Sequence, residues 1–391
     1  MYNPNLQPSQ LIPPFPQNAS VDQQVLYELA DGTGGFLIHD TNDLLSGMER
    51  IAKEQNEYYI IGYTPPDSRD GSCHTIKVKV DRGGTIVRSR TGYCNIKPLD
   101  FLAGKPIERE LESHANAFAS GAVEGSLEAP FFFTSPNVAR VDLTMQIPSA
   151  SIKFQKQKGK FQSDLHVLGI ATKPDGSEAA RFSDSVHLQF EKHELEEFNK
   201  NSFRYENQSE IGAGDYRLAV VFSGGGETFG KLETRLKVDS FDGKHFGLSS
   251  LALTREAHSI AQIGGLDQDL LLGRVPLVVQ GIQVVPTADY HFSKTDHAMV
   301  YLEMYEPLLT DPNPPKLDLL LRIVDKKSGN APISARIAET AAFIKAGNPV
   351  VPMGLRLPVE QLAPGSYRLE LQGADSAGNY SPVRVAEFVV N

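Results

Sequence analysis

The sequence predicts a mainly β protein: a small α/β part at the N-terminal end, then two antiparallel β-sandwiches of Ig-like, Greek-key type. Three observations carry this. From about residue 131, apolar and polar residues alternate in short runs broken by turn residues. Before that, Gly35 to Pro66 reads as strand, helix, strand, the unit of a parallel sheet. Finally, "GAGDYRLAVV" at Gly212 is echoed by "APGSYRLELQ" at Ala363, about 150 residues later, as a duplicated plan requires.

The expected organisation is a disordered Pro-rich tail at 1–19, an α/β part with a β-hairpin at 20–100, and a linker with a short helix at 101–130. A sandwich follows at 131–242, then a linker at 243–274 and a second sandwich at 275–391. The first helix starts at a capping box formed by Ser20 and Gln23. Its stripe is Val25, Leu26, Leu29 and Ala30, and Gly32 is placed at its left-handed end. "GFLIHD" is a short apolar strand. Thr41 then caps a helix carrying Leu44, Leu45, Met48, Ile51 and Ala52 at helical spacing. "YYIIGYTPP" is a buried strand stopped by Pro65 and Pro66.

The two cysteines, Cys73 and Cys94, flank a hairpin pattern. Ile76, Val78 and Val80 alternate with Lys77, Lys79 and Asp81, and Gly83-Gly84 supplies a two-residue turn. With that turn, residue 82 faces residue 85. Stepping outward sets Cys73 opposite Cys94 in a non-hydrogen-bonded pair, where Cα atoms come closest. The pair is expected to form a disulfide in an oxidising compartment.

The ordered run "LYELADGTGG", "TNDLL", "YYIIGYTPP" and the charged hairpin ending in "TGY" resembles the C-terminal end of bacterial von Willebrand factor type A (VWA)-related proteins, over about 75 residues. Weaker similarity continues through "GDYRLAVVFSGGGETFGKLETRLKVDSFDGKHFGLSSLALTRE", which resembles the segment after the A domain in the same proteins. The resemblance implies a partial VWA-like α/β sheet. That family's metal-ion-dependent adhesion site needs an Asp-x-Ser-x-Ser loop to hold a hard divalent cation. The chain contains no such loop; "DSRDGS" at Asp67 and "FSDSV" at Phe182 miss the spacing. The expectation is therefore an N-terminally truncated family member with no metal ligands. The full-length relatives imply an extracytoplasmic setting. The polar, Pro-rich start shows no signal peptide, which implies the cytoplasm if Met1 is the genuine start.

Later segments supply the sandwich strands. "RVDLTMQI" sets Val141, Leu143, Met145 and Ile147 on one face. "DLHVLGIA", "SVHLQF", "YRLAVVF" and "KLETRLKV" follow, with turns at Gly176 and Gly224 to Gly226. The second set is "LVVQGIQVV", "AMVYLEMY", "KLDLLLRIV", "GLRLPV", "YRLELQGA" and "VRVAEFVV", with a turn at Gly329. The Gly-x-Tyr-Arg-Leu element resembles the tyrosine corner of such folds.

Candidate chemistry is sparse. "HELEEF" at His193 has Glu197 where a zinc motif needs its second His, so it reads as a solvated connection. His291 and His297 lack a third ligand at useful spacing. "SGGGETFG" lacks the Lys of a phosphate loop, and "GLSSL" around Ser249 lacks the second Gly of a nucleophile elbow. Asp40, Asn42 and Asp43 lack a calcium-loop Gly, so capping is the simpler role. No catalytic, cofactor or metal residue is assigned. A net charge of −10 without a dense Lys/Arg run argues against nucleic acid, and no run approaches a membrane span. The function expected is non-catalytic binding of a protein partner or cell-surface ligand. A carbohydrate-binding sandwich, needing coplanar exposed aromatics, and a hydrolase, needing a pocket with perturbed acids, are the alternatives.

Overall fold

The computed structural model describes residues 24–38, 43–56, 72–85, 87–94, 102–117, 121–224, 228–260, 274–345 and 347–391. The chain divides into two compact units, Met1–Pro98 and Leu99–Asn391.

In the first unit, α1 (Gln24–Thr33) runs past Gly32, where the sequence places its end. Gly34, at φ 82°, takes the left-handed position. The Gly35 N–H donates to Ala30 O at 2.6 Å and the Gly34 N–H to Asp31 O at 3.3 Å. Gly32 stays helical because Gly34 allows both closing bonds. Helix α2 (Leu44–Asn56) is capped by Asp43, whose Oδ1 accepts the Ser46 N–H at 3.1 Å. Between the helices Gly35–Ile38 is not a strand. It packs by side chains instead: Arg50 and Arg88 lie over the Phe36 ring at 4.1 and 4.7 Å. An apolar run becomes a strand only when a neighbour takes up its backbone groups. The expected strand at 58–66, the capping Thr41 and the Pro-rich tail lie outside the described residues. The VWA-like sheet is thus not seen among the described residues.

Strands β1 (Cys73–Thr75) and β2 (Gly92–Cys94) form a short antiparallel ladder in which Cys73 faces Cys94. The Ile76 N–H donates to Thr91 O at 3.0 Å, which fixes the phase and makes the cysteine pair non-hydrogen-bonded, as the turn counting requires. The expected ladder through Val78 and Val80 does not extend this far, and both side chains are exposed.

The second unit opens with α3 (Pro106–Asn116), inside the stretch read from sequence as a linker. It is docked, not free: Leu102, Leu111 and Ala115 pack against Leu168, Ile170 and Val221. Strands β3 (Ser126–Glu128) and β4 (Phe131–Ser135) pair with one side of β5 (Val138–Pro148). β6 (Gln155–Gln157) and β7 (Lys160–Thr172) are joined by a tight turn at Lys158 and Gly159, both at positive φ. β8 (Glu178–Phe190) leads through α4 (Lys192–Phe198) to β9 (Ser202–Gly212), which completes the β5 sheet. β10 (Gly214–Ser223) and β11 (Phe229–Val238) complete the facing sheet, ordered β8-β7-β10-β11. Val141, Leu143, Met145 and Ile147 point into the core between the sheets, as their period predicts.

The second sandwich repeats this plan. β12 (Gly247–Leu248) and β13 (Ala252–Thr254) lie in the stretch expected to be a linker. They pair with β18, described below, so the sandwich begins earlier than residue 275. The segment "LVVQGIQVV" is not one strand. With β14 (Glu256–Ser259) it forms a small sheet of β15 (Leu277–Val279) and β16 (Ile282–Val285). Gln280 and Gly281, at φ 49° and 78°, fold it back, since two adjacent positive φ values make a hairpin turn. β17 (His291–Phe292) and β18 (Met299–Tyr305) follow, then β19 (Leu317–Asp325), β20 (Ile333–Ile337) and β21 (Val350–Arg356). β22 (Gly365–Asp375) and β23 (Arg384–Val390) end the chain. β18 pairs with β21 on its other side, and the facing sheet runs β17-β23-β22-β19-β20. The turns at Gly176 and Gly329, both at positive φ, join matching strand pairs: β7 to β8, and β19 to β20. Both Gly-x-Tyr-Arg-Leu elements open matching strands, β10 and β22.

Candidate functional site

Two places concentrate polar chemistry. The first is the seam between the sandwiches. On β5 the residues that alternate with the core face do not meet solvent: Asp142 and Thr144 are buried. The Arg140 guanidinium donates to Asp142 at 2.7 Å. Across the seam, the Tyr301 and Tyr305 hydroxyls donate to the Glu303 carboxylate at 2.9 and 2.6 Å. Burial pushes the Asp142 carboxyl up to about 6, against the pull of Arg140. Gln146 Oε1 accepts from Thr287 Oγ1, Ala288 N and Asp289 N at 2.7, 2.8 and 3.0 Å. A cavity of about 50 Å³ opens here, lined among others by Asp142, Glu206, Asn207, Arg274 and Gln283. Arg274 pairs with Glu206 at 2.6 Å, and Arg204 with Glu206 at 3.0 Å.

A perturbed acid in a pocket is what the hydrolase alternative required. Yet this pocket is far below the several hundred Å³ of a substrate site. Its charges are paired with one another, which is the arrangement of a structural seam.

The second place is one end of the second sandwich, where the loops 306–316 and 376–383 meet. The Ser376 N–H donates to Lys316 O at 2.8 Å, and the Lys316 N–H to Ser376 Oγ at 3.0 Å. The second loop is held from beneath: Asp375 accepts from Asn379 N and Nδ2 at 2.8 and 2.6 Å. Ser381 Oγ accepts the Gly373 N–H at 2.8 Å, and Tyr380 bridges Ala374. On this fixed loop the Tyr380 side chain is 63% exposed, with Val383 also exposed; Leu308 is exposed on the other loop. Among the described residues Tyr380 is the one exposed Phe or Tyr. The sequence reading missed it because Tyr is common in strands, and exposure is not written in a single residue type.

The sequence candidates fall as follows. Cys73 is buried opposite Cys94, and no described cysteine is free. His193 lies exposed on α4, which Glu191 and Glu194 close with a reciprocal capping box. His291 contacts Asp289 at 2.5 Å, and His297 is exposed. Ser249 is buried: its Oγ donates to Ser250 O and accepts the Glu303 N–H, so it serves as a backbone tie. Among the described residues no group of three or more His, Cys, Asp or Glu is placed to hold a metal ion. No described helix is long and apolar enough to cross a membrane. Asp40, Asn42, Asp67 and Gly225 to Glu227 lie outside the described residues.

No family model matches the chain, and no curated protein matches it significantly. Solved structures resembling it include a protein described as a β-galactosidase from Bacteroides fragilis, at TM-score 0.22 and 11% identity, over 31% of this chain and 17% of that one. A two-domain fibronectin type III segment of chicken tenascin gives TM-score 0.17 and 7% identity, over 68% and 99%. The BSP domain of a biofilm-associated protein gives 0.19 and 11%, over 73% and 54%. The chain thus spans about a sixth of the first of these structures and about half of the last.

Proposed function

We propose that this is a non-catalytic binding protein whose second sandwich presents the loops 306–316 and 376–383 to a protein partner. The observation that carries the reading is Tyr380, an exposed aromatic on a loop already fixed by Asp375, Asn379 and Ser381. A rigid exposed tyrosine loses little entropy on binding and is a common energetic centre of protein interfaces. Among the described residues a single exposed tyrosine does not supply the coplanar platform of a carbohydrate module.

For the N-terminal part, the resemblance of its sequence to VWA-related proteins is what supports a kinship with them. The facing cysteines fit an extracytoplasmic setting, where a Cys73–Cys94 disulfide would persist. Alkylation of the denatured, non-reduced protein tests the bond: no label is expected until reductant is added, and two alkylated thiols before reduction would refute it.

The binding reading is tested by placing a photo-crosslinking amino acid at position 380 and, as control, at Arg217 on the first sandwich. A discrete protein adduct from 380 alone is expected. Saturable oligosaccharide binding unaffected by Tyr380→Ala, or turnover of a glycoside substrate, would replace it with one of the alternatives.

A further inference from the structure

One stretch of the first unit carries charge opposite in sign to the chain. Residues 73–94 hold five bases, Lys77, Lys79, Arg82, Arg88 and Arg90, against one acid, Asp81, for a net of +4. The whole chain stands at −10, so the other residues total −14. In sequence these bases are spaced apart; folding gathers them. Cys73 faces Cys94, and the bond from the Ile76 N–H to Thr91 O carries that register one pair past the ladder. The next pair in this register sets Lys77 beside Arg90, both exposed. Lys79 and Arg82 are exposed beyond them, and the Thr85 hydroxyl donates to Arg82 O at 2.9 Å to close the tip. The hairpin is seated on the turn after α1: Arg88 lies over the Phe36 ring, and a Cβ added at Gly34 would come within 2.7 Å of the Ser89 backbone. Lys77, Lys79, Arg82 and Arg90 have no ion pair among the described residues. On the same arms Val78, Val80 and Val87 are 38%, 43% and 41% exposed.

Like charges set side by side repel, so this arrangement does not serve the stability of the hairpin. We propose that the hairpin between Cys73 and Cys94 is the site at which the protein adsorbs to an anionic lipid surface. Lys77, Lys79, Arg82 and Arg90 pair with lipid phosphates, and Val78, Val80 and Val87 enter the boundary between head groups and acyl chains. An anionic bilayer offers negative charge and an apolar depth in the same place. A soluble polyanion would satisfy the bases and leave the valines in water. Nucleic acid is disfavoured further because no aromatic residue lies between Thr75 and Thr91 to stack on a base. Each base near such a surface favours binding about fivefold, so the four together favour it by roughly 10² to 10³. The negative charge on the other residues is repelled, which confines adsorption to the hairpin. This site is independent of the loops around Tyr380.

The test is co-sedimentation of the full chain with phosphatidylcholine vesicles, with and without about a third phosphatidylglycerol, in about 0.1 M and about 1 M salt. The native protein should partition onto the anionic vesicles at least about tenfold more than onto the neutral ones, and only at the lower salt. Equal partition onto both, or none onto either, would overturn the proposal without any variant. Lys77→Glu with Lys79→Glu should lower anionic partition by about tenfold or more; the new carboxylate beside Arg90 gains a partner, so the fold is not threatened. Undiminished binding by this variant would place the site elsewhere and overturn it too. Val78→Ser with Val80→Ser should weaken vesicle binding severalfold. Tighter binding of polyglutamate or duplex DNA than of the vesicles, with the serine pair without effect on any of them, would replace lipid by a soluble polyanion. Tyr380→Ala should bind vesicles as the native protein does, so this site and the partner-binding loops fail separately.

Discussion

The Tyr216 hydroxyl donates to the carbonyl of Gly212, four residues upstream, at 2.8 Å. Tyr367 repeats the contact with Ala363 at 2.7 Å. Each bond closes the corner between the two sheets of its own sandwich, which is the tyrosine corner the sequence echo implied.

Tyr216→Phe and Tyr367→Phe should each cost about 1 kcal/mol, since the ring stays and only the hydroxyl's bond is lost. Tyr367 also stacks on Phe388, with ring centroids 5.6 Å apart, so Tyr367→Ala should cost several times more than Tyr367→Phe. Urea unfolding of the four proteins checks the ratio. Equal losses for Phe and Ala would mean the hydroxyl dominates.

Stability should decline as pH rises from about 5 to 8. Burial raises Glu128 to about 7 and Asp142 to about 6, both above their unfolded values. Between the unfolded and folded values the folded chain binds more protons, so the stabilisation is complete below the unfolded value. It is lost as pH passes the folded one. For Glu128 the effect is at most ~3 kcal/mol. Glu128→Gln should flatten the slope of Tm against pH; an unchanged slope would show that Glu128 is solvated.

The seam should depend on Gln146 more than its polarity suggests. Gln146→Leu leaves the Thr287 hydroxyl and two backbone N–H groups without their acceptor, for a loss of about 2–5 kcal/mol. Differential scanning calorimetry should resolve two transitions in the variant where the native chain gives one. A single, barely shifted transition would count against a coupled seam.

Leu111→Ala should loosen α3 from the β7–β10 face and cost about 2–5 kcal/mol, because Leu111 is fully enclosed. Limited proteolysis near residue 118 should accelerate while the sandwiches stay intact. Unchanged cleavage would mean α3 is held by its polar ties, such as Arg181 with Glu108 at 2.5 Å.

The sequence by itself determined the two sandwiches, their echo and the register of Cys73 against Cys94. These follow from local rules: a period of two assigns faces, and a two-residue turn counts out the pairing. Those rules say which residues share a face, not what that face meets. Tertiary structure decided that the polar face of β5 is buried, that α3 covers the first sandwich, and that residues 247–259 form strands instead of a linker. It also decided what no motif displays: Gln146 and Thr287, 141 residues apart in the chain, meet at the seam between the sandwiches. Burial and the meeting of distant side chains are properties of packing, so a linear pattern cannot carry them.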